Sequence, residues 1–227
     1  ITESAPVVGQ VQMSPKTIAG FTEYSRRMLQ QSSTDLESLL RRDLANQIAS
    51  AIDAAIIEGG GANEPTGVLQ TNGIGSVALG ANGGAITYAA LVNLVKEIAT
   101  DNALNGNLAF LTNPKVVASM RQTPRQTSGV EGNFILGEEN SLLGYPVLSS
   151  NNVPSNLSKG TSSGNLSAVC FGNWADVLVA FWSDLEILID PYTKSNQNLI
   201  SIRAVSDIDV GVRHPESFAA IQDVIAS

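Results

Sequence analysis

Few side chains in this sequence could do acid–base or nucleophilic chemistry. His214 is its only histidine, so metal clusters with the usual histidine spacings cannot be built, and a Ser-His-Asp triad would have to use this residue. It precedes Pro215 at the end of a predicted strand, and we favour a strand-end or surface histidine. A hydrolase that works through His214 and a nearby serine is kept as a remote alternative.

The one cysteine, Cys170, lies in the apolar run 166–171, which is typical of a buried strand. No histidine or lysine lies near it in sequence to lower its pKa, and a reactive thiol would need such a neighbour. We therefore predict an inert core thiol. One cysteine also permits no internal disulfide.

Two pairs of carboxylates recur at a spacing of two, Asp207 with Asp209 and Asp184 with Glu186. On a strand the two side chains of each pair point to the same face, as a metal site or a general acid and base would require. A solvated sheet face explains both pairs equally well, and this is the interpretation that we favour.

Glycine-rich and arginine motifs also have ordinary explanations. The run 73–78 fits a relaxed dinucleotide fingerprint, but no helix begins where a pyrophosphate would need one. The run 59–65 lacks the lysine and hydroxyl of a phosphate loop and is better explained as a helix stop. The arginine pairs at 26–27 and 41–42 suggest partner contacts, although exposed helix arginines are common.

The composition bounds the class of protein. With 227 residues and 43% hydrophobic content, the chain can form one large domain or two of ordinary size. Its net charge of −8 argues against a nucleic-acid groove, because affinity for the phosphate backbone comes from lysine and arginine. We find no apolar run long enough to span a membrane and no signal-peptide order, so we expect a soluble, intracellular protein.

A long helix over residues 34–58 is the dominant predicted element. Thr34 is the expected N-cap, Glu37 returns the bond, and the glycines at 59–61 end the helix. Its apolar residues recur every three or four positions and form one buried stripe. They are Leu36, Leu39, Leu40, Leu44, Ile48, Ala51, Ile52, Ala55 and Ile56.

Shorter elements complete the prediction. Thr87 caps a helix through Thr100, and Asn113 with Pro114 starts a brief helix through Met120. The segment 121–140 is polar and expected to be mobile. A short helix is expected at 25–30 and a surface loop at 149–164, with strands at 6–13, 16–25, 108–111, 145–149, 166–171, 177–181, 185–189 and 199–212.

The order of these segments resembles the major capsid protein family of tailed bacteriophages, which has the Hong Kong 97-type fold also used by encapsulin compartments. No single motif is very specific, but their order and spacing extend over almost the whole chain. The segments that carry the resemblance are PKTIA at 15–19, DLE at 35–37, EGGG at 58–61, EPTG at 64–67, LTNP at 111–114, LGYPV at 143–147, VCFGNW at 169–174, IRA at 202–204 and HPESF at 214–218.

The resemblance implies an α+β fold with a long spine helix, a peripheral domain holding a long β-sheet, and an axial domain of helices around a central sheet. The peripheral domain would use residues 1–84 and 190–213, and the axial domain residues 85–189 and 214–227. Within the peripheral part, 34–58 would be the spine helix and 1–18 the remnant of an extended loop. The chain begins at Ile1 without methionine, so a prophage member lacking its N-terminal region is expected.

The resemblance also implies a function. It is that of a structural, non-enzymatic subunit that self-assembles into hexamers and pentamers of an icosahedral shell around a packaged genome. It implies no catalytic, cofactor or metal residues, no specific nucleic-acid site and no membrane contact. Portal, scaffold and maturation protease are the further partners it suggests, in the virion capsid and, during assembly, the bacterial host cytoplasm. An encapsulin-like nanocompartment shell is the alternative.

Some relatives lock their shells with a lysine-to-asparagine isopeptide bond promoted by a glutamate. Asn198 falls where such an asparagine would lie. The glutamate position matches Val205, and the lysine position falls at or before Ile1. We therefore predict no autocatalytic crosslink.

Overall fold

The computed structural model describes residues 9–31, 35–125 and 133–226. Over these residues the chain forms a mixed α+β fold, as expected. The helices are α1 (Arg26–Gln31), α2 (Leu36–Glu58), α3 (Tyr88–Thr100) and α4 (Pro114–Gln122). The strands are β1 (Lys16–Ser25), β2 (Gly75–Ser76), β3 (Leu108–Thr112), β4 (Ser141–Leu142), β5 (Tyr145–Ser149), β6 (Leu157–Lys159), β7 (Ser162–Asn173), β8 (Val177–Phe181), β9 (Glu186–Asp190), β10 (Leu199–Val212) and β11 (Phe218–Ile225).

The N-cap of the long helix α2 lies one residue later than predicted. Its N-cap is Asp35, whose carboxylate accepts a hydrogen bond from the Ser38 backbone N–H. Thr34, the predicted cap, lies outside the described residues. Aspartate serves this position well, because its charge also complements the positive end of the helix dipole.

Glycine is required at the end of α2 because there is no room for a side chain, and not because the residue has a left-handed conformation. Gly59, the C-cap, has a φ of −45°, which any residue can adopt. A Cβ at Gly59 would lie 2.1 Å from the backbone oxygen of Pro65, because the loop folds back against the helix end. The positive φ in this turn belongs to Gly61, at +81°.

The two shorter helices begin as the sequence predicts. The Thr87 hydroxyl accepts a hydrogen bond from the Ala90 N–H, and Asn113 accepts one from the Val116 N–H ahead of Pro114. Both caps satisfy a backbone donor that the first helical turn leaves free.

The first sheet has the order β1-β10-β8, with β9 also paired to β10. All pairs are antiparallel, and β8 and β9 lie end to end along one edge of β10, opposite residues 208–212 and 201–205. The sequence division placed 177–189 in the axial part. The ladder with β10 corrects this assignment, because 177–190 belongs to the same sheet as the two long strands β1 and β10.

The second sheet has the order β2-β11-β7-β3-β5-β4, with β6 paired to β7. The strand β6 was not predicted, since it lies within the expected surface loop 149–164. Its backbone pairs with β7, which satisfies the hydrogen-bonding groups of this polar segment. The polar composition of the segment does not predict this pairing.

A large apolar core fills the space between α3, α4 and the second sheet. Phe110 and Phe171 stack with ring centroids 4.3 Å apart, and Tyr145 lies 5.0 Å from Phe171. Ile135 and Leu136 are buried in the same core. The prediction of a polar, mobile segment at 121–140 is therefore wrong at these two residues, while 126–132 lie outside the described residues.

The helix α2 connects the cores beneath the two sheets. Leu44 and Ile48 pack with Ile202 on the first sheet. At its C-terminal end, Ile57 joins a different cluster with Val212 of β10 and Phe218 of β11. The predicted stripe is wrong at its margins, because Leu39 and Ala51 are exposed whereas Ile57 is buried.

Candidate assembly surfaces

One face of the first sheet packs on α2, and the other face is open over much of its length. Phe21 and Leu188 flank Arg203 across the ladder, and their exposed fractions are 59% and 57%. The ammonium of Lys194 lies 5.5 Å from the centre of the Phe21 ring and pairs with Glu23. We call this row, Phe21, Arg203 and Leu188, the open face.

Residues 9–15 cover the other end of this face. Asp209 accepts a hydrogen bond from the Ser14 N–H at 2.7 Å and one from the Val210 N–H at 2.9 Å. A Cβ at Gly211 would lie 2.6 Å from the terminal methyl of Met13, so only glycine leaves room for this segment. Residues 9–13 are not a strand, contrary to prediction, and residues 6–8 of that predicted strand lie outside the described residues.

The favoured interpretation of the paired carboxylates is wrong for Asp209. Asp209 is only 7% exposed, and its carboxylate oxygens accept hydrogen bonds from backbone N–H groups. Pro15 interrupts the ladder between β1 and β10 because it has no N–H. The Asp209 carboxylate therefore replaces a strand as hydrogen-bond acceptor. Asp184 and Glu186 are exposed, as expected for a solvated pair.

A bulge at 182–185 interrupts the outer edge of the sheet between β8 and β9. The Trp182 N–H donates to the Asp207 carbonyl at 2.9 Å, and the Asp207 N–H donates to the Ser183 hydroxyl oxygen at 2.9 Å. The Asp207 carboxylate also accepts a hydrogen bond from Thr17 at 2.6 Å. One residue of β10 thus holds both the bulge and the neighbouring strand β1.

The bulge presents large apolar side chains to solvent. Phe181, Trp182 and Leu185 are 61%, 48% and 39% exposed, and we call these three residues the edge patch. The acidic side chains of Asp184 and Glu186 lie beside them in sequence, and neither is in an ion pair within the described residues. Sequence reasoning missed this patch, although two adjacent aromatic residues before Ser-Asp were the available signal.

A second exposed surface is formed by α1, in which no residue is buried. It carries Arg26, Arg27, Met28 and Leu29, which we call the α1 surface. Arg26 fixes its position, because its N–H donates to the Asn198 carbonyl at 3.1 Å and its guanidinium to the Pro191 carbonyl at 3.2 Å.

His214 does not meet a serine in the way that a hydrolase would need. The residue is exposed. The Ser217 hydroxyl lies 2.7 Å from the His214 backbone carbonyl and 3.0 Å from the Asp176 carboxylate. In the described part of the chain, no hydrogen bond joins a serine hydroxyl to the imidazole. The observed contacts are those of a strand-end turn.

The remaining candidates have structural surroundings. Cys170 is buried, and burial raises the pKa of its thiol to about 12. Within residues 9–31, 35–125 and 133–226, no group of three His, Cys, Asp or Glu side chains is arranged to hold a metal ion. Across those same ranges, no helix combines the length and apolar character that a membrane span needs.

The arrangement of the helices and the two sheets defines the class of protein. A long helix packed on one sheet, with further helices against a second sheet, is the architecture expected of Hong Kong 97-type shell proteins. The chain belongs to the Phage capsid family, whose family model matches residues 1–223. The expected family and fold class are thus confirmed.

Relatives and solved structures agree with this assignment. The chain is 27% identical over 220 residues to the major capsid protein of Halomonas phage phiHAP-1, covering 96% of this chain and 34% of that protein. It therefore spans about a third of the length of that curated relative. The capsid of a native GTA particle has a TM-score of 0.75 at 24% identity, over 99% of this chain and 78% of that chain.

The fold is also similar to that of the holo-SrpI encapsulin complex of Synechococcus elongatus. The TM-score is 0.65 at 15% identity, over 94% of this chain and 75% of that chain. At this identity the likeness concerns the fold alone.

Proposed function

We propose that the chain is part of a structural subunit of a bacteriophage or prophage capsid shell. The subunit assembles with other copies into hexamers and pentamers around a packaged genome. The observation that carries this proposal is the family match over residues 1–223. The similarity to a curated major capsid protein over 96% of the chain supports it further.

The chemistry of the described residues is consistent with this role. The candidate catalytic groups take part in turns, backbone hydrogen bonds or the core, or lie at the solvated surface, and we propose no catalytic, cofactor or metal residues. Several of the exposed apolar side chains instead lie on the open face, the edge patch and the α1 surface. Large exposed apolar groups of this kind favour contacts with other chains.

We propose two parts for the subunit, with a boundary that follows the sheets. The peripheral part would contain α2 and the first sheet, including residues 177–190. The axial part would contain α3, α4 and the second sheet with the C-terminal strand β11. Residues 68–70 pack against the second sheet's cluster, so the first boundary would fall before residue 68 rather than at 84.

Further partners and properties follow from the same proposal. We propose the virion capsid as the final location and the bacterial host cytoplasm as the place of assembly, with portal, scaffold and maturation protease as additional partners. The net charge of −8 would keep the inner wall from binding packaged DNA tightly. With Val205 at the glutamate position, no isopeptide crosslink is expected, and a covalent ladder on denaturing gels would contradict that.

Electron microscopy and light scattering of the complete gene product, expressed with any adjacent scaffold or protease genes, test the proposal. Closed icosahedral particles are the expected result. Folded protein that stays monomeric or forms only small oligomers under these conditions would refute it. Particles purified from the bacterial host that contain a protein cargo and no genome would favour the encapsulin-like alternative.

A further inference from the structure

We propose that the edge patch of one subunit binds the α1 surface of a second copy of this chain. This inference rests on the proposed shell function and goes beyond it by naming the two surfaces that meet. It commits to a head-to-tail contact in which Trp182 and Phe181 of one copy pack against Met28 and Leu29 of the next.

The backbone of the edge patch is already ordered in the isolated chain. The bulge is fixed on both sides of Asp207, by the Trp182 N–H at 2.9 Å from its carbonyl and by its own N–H at 2.9 Å from the Ser183 oxygen. Bulges redirect side chains away from the regular pleat. Because this backbone is already ordered, burying the side chains that it carries costs little backbone entropy on binding.

The charges beside the edge patch and those of the α1 surface are complementary. Asp184 and Glu186 flank the edge patch, whereas Arg26 and Arg27 precede Met28 in α1. The ion pairs found among the described residues involve none of these four charges. An acidic apolar surface and a basic apolar surface therefore remain available to each other, and complementary charges of this kind fix the register of a contact.

Within one subunit the edge patch and the α1 surface lie far apart. Arg26 binds the Asn198 carbonyl at the start of β10, whereas the bulge lies beside Asp207. The nine intervening residue steps of an extended strand span about 30 Å. One subunit cannot bring its own two surfaces together, so the contact must join different copies. Such a heterologous contact generates a ring when its rotation closes.

The test uses the complete gene product under conditions where the wild-type protein forms particles. Trp182→Ser and Arg27→Glu should each raise the protein concentration needed for assembly about tenfold or more, as expected for the centre of an interface. Val92→Ser and Lys96→Glu on α3 are the matched controls, and they should leave assembly unchanged. Circular dichroism of unassembled protein verifies that each variant is folded.

A charge exchange tests the pairing itself. Asp184→Arg alone should impair assembly, and Asp184→Arg combined with Arg27→Glu should restore it. A double variant that assembles no better than either single variant would overturn the proposed pairing. Assembly of Trp182→Ser at the wild-type concentration would overturn the role of the edge patch.

A cysteine pair gives a readout that does not depend on removing Trp182. Met28→Cys with Asp184→Cys should form disulfides between copies and give a ladder on non-reducing gels, while either single variant should not. Absence of the ladder in assembled particles would overturn the inference while leaving the shell function intact. Failure of the wild-type protein to form particles would instead count against the proposed function.

Discussion

Asp209 offers a sharp test of how the chain enters the first sheet. In Asp209→Ala the Ser14 N–H loses its acceptor at 2.7 Å and the Val210 N–H loses a contact at 2.9 Å. A hydrogen bond to a charged group contributes about 1.5–3 kcal/mol, and the donor left without an acceptor at the buried residue Val210 costs about 1 kcal/mol or more. We therefore expect the free energy of unfolding to fall by about 2–4 kcal/mol, measured by urea denaturation.

Two further variants separate this explanation from a general loss of packing. Asp209→Asn keeps an oxygen that can accept the Ser14 N–H, so it should lose less than half as much stability as Asp209→Ala. Asp207→Ala removes a more exposed carboxylate and should cost about 0.5–1.5 kcal/mol. Hydrogen exchange at the Ser14 amide should accelerate in Asp209→Ala and stay unchanged in Asp207→Ala. Equal exchange in the two alanine variants would refute the assignment of Asp209 as the acceptor.

Three other predictions concern the end of α2 and the core. Gly59→Ala should destabilise the fold by about 2 kcal/mol or more in urea, because its Cβ would lie 2.1 Å from a backbone oxygen, whereas Gly137→Ala, with open space around it, should be nearly neutral. Burial and then the charge of Glu64 raise the pKa of Glu58 above its ordinary value of 4.5. The folded state therefore binds this proton more tightly than the unfolded state, and stability falls as the pH rises from the ordinary pKa through the raised pKa of the folded state. Glu58→Gln should therefore be more stable than wild type at about pH 7, with the difference vanishing in acid; a constant difference would contradict the cause given. Cys170, whose pKa is about 12, should react with a thiol reagent about 100-fold more slowly in the folded protein than in urea.

The parts of the fold that depend on neighbouring residues could be read from the sequence. Thr87 and Asn113 cap their helices through hydrogen bonds to backbone donors three residues away, and such spacings are visible in the chain itself. The two longest elements, α2 and β10, were also predicted, because their apolar patterns persist over many residues.

The parts that depend on distant pairing could not be read in this way. Ser14 and Asp209 are 195 positions apart, so nothing local distinguishes this buried carboxylate from a solvated one. The same reason explains why the sequence division placed residues 177–189 in the axial part, away from their partner strand β10. The edge patch was missed because exposure of aromatic residues becomes evident only when the bulge and its partner Asp207 are placed together.

The apolar cluster that includes Ile57, Val212 and Phe218 has a mechanical consequence. It joins the end of the long helix to the last residue of β10 and the first residue of β11, so the two sheets meet at one apolar joint. A force that tilts the first sheet is transmitted to the second sheet through this joint and through the helix α2, which packs against both. A force on one part of the subunit should therefore act on the whole chain, and the two sheets should unfold together in a single cooperative step.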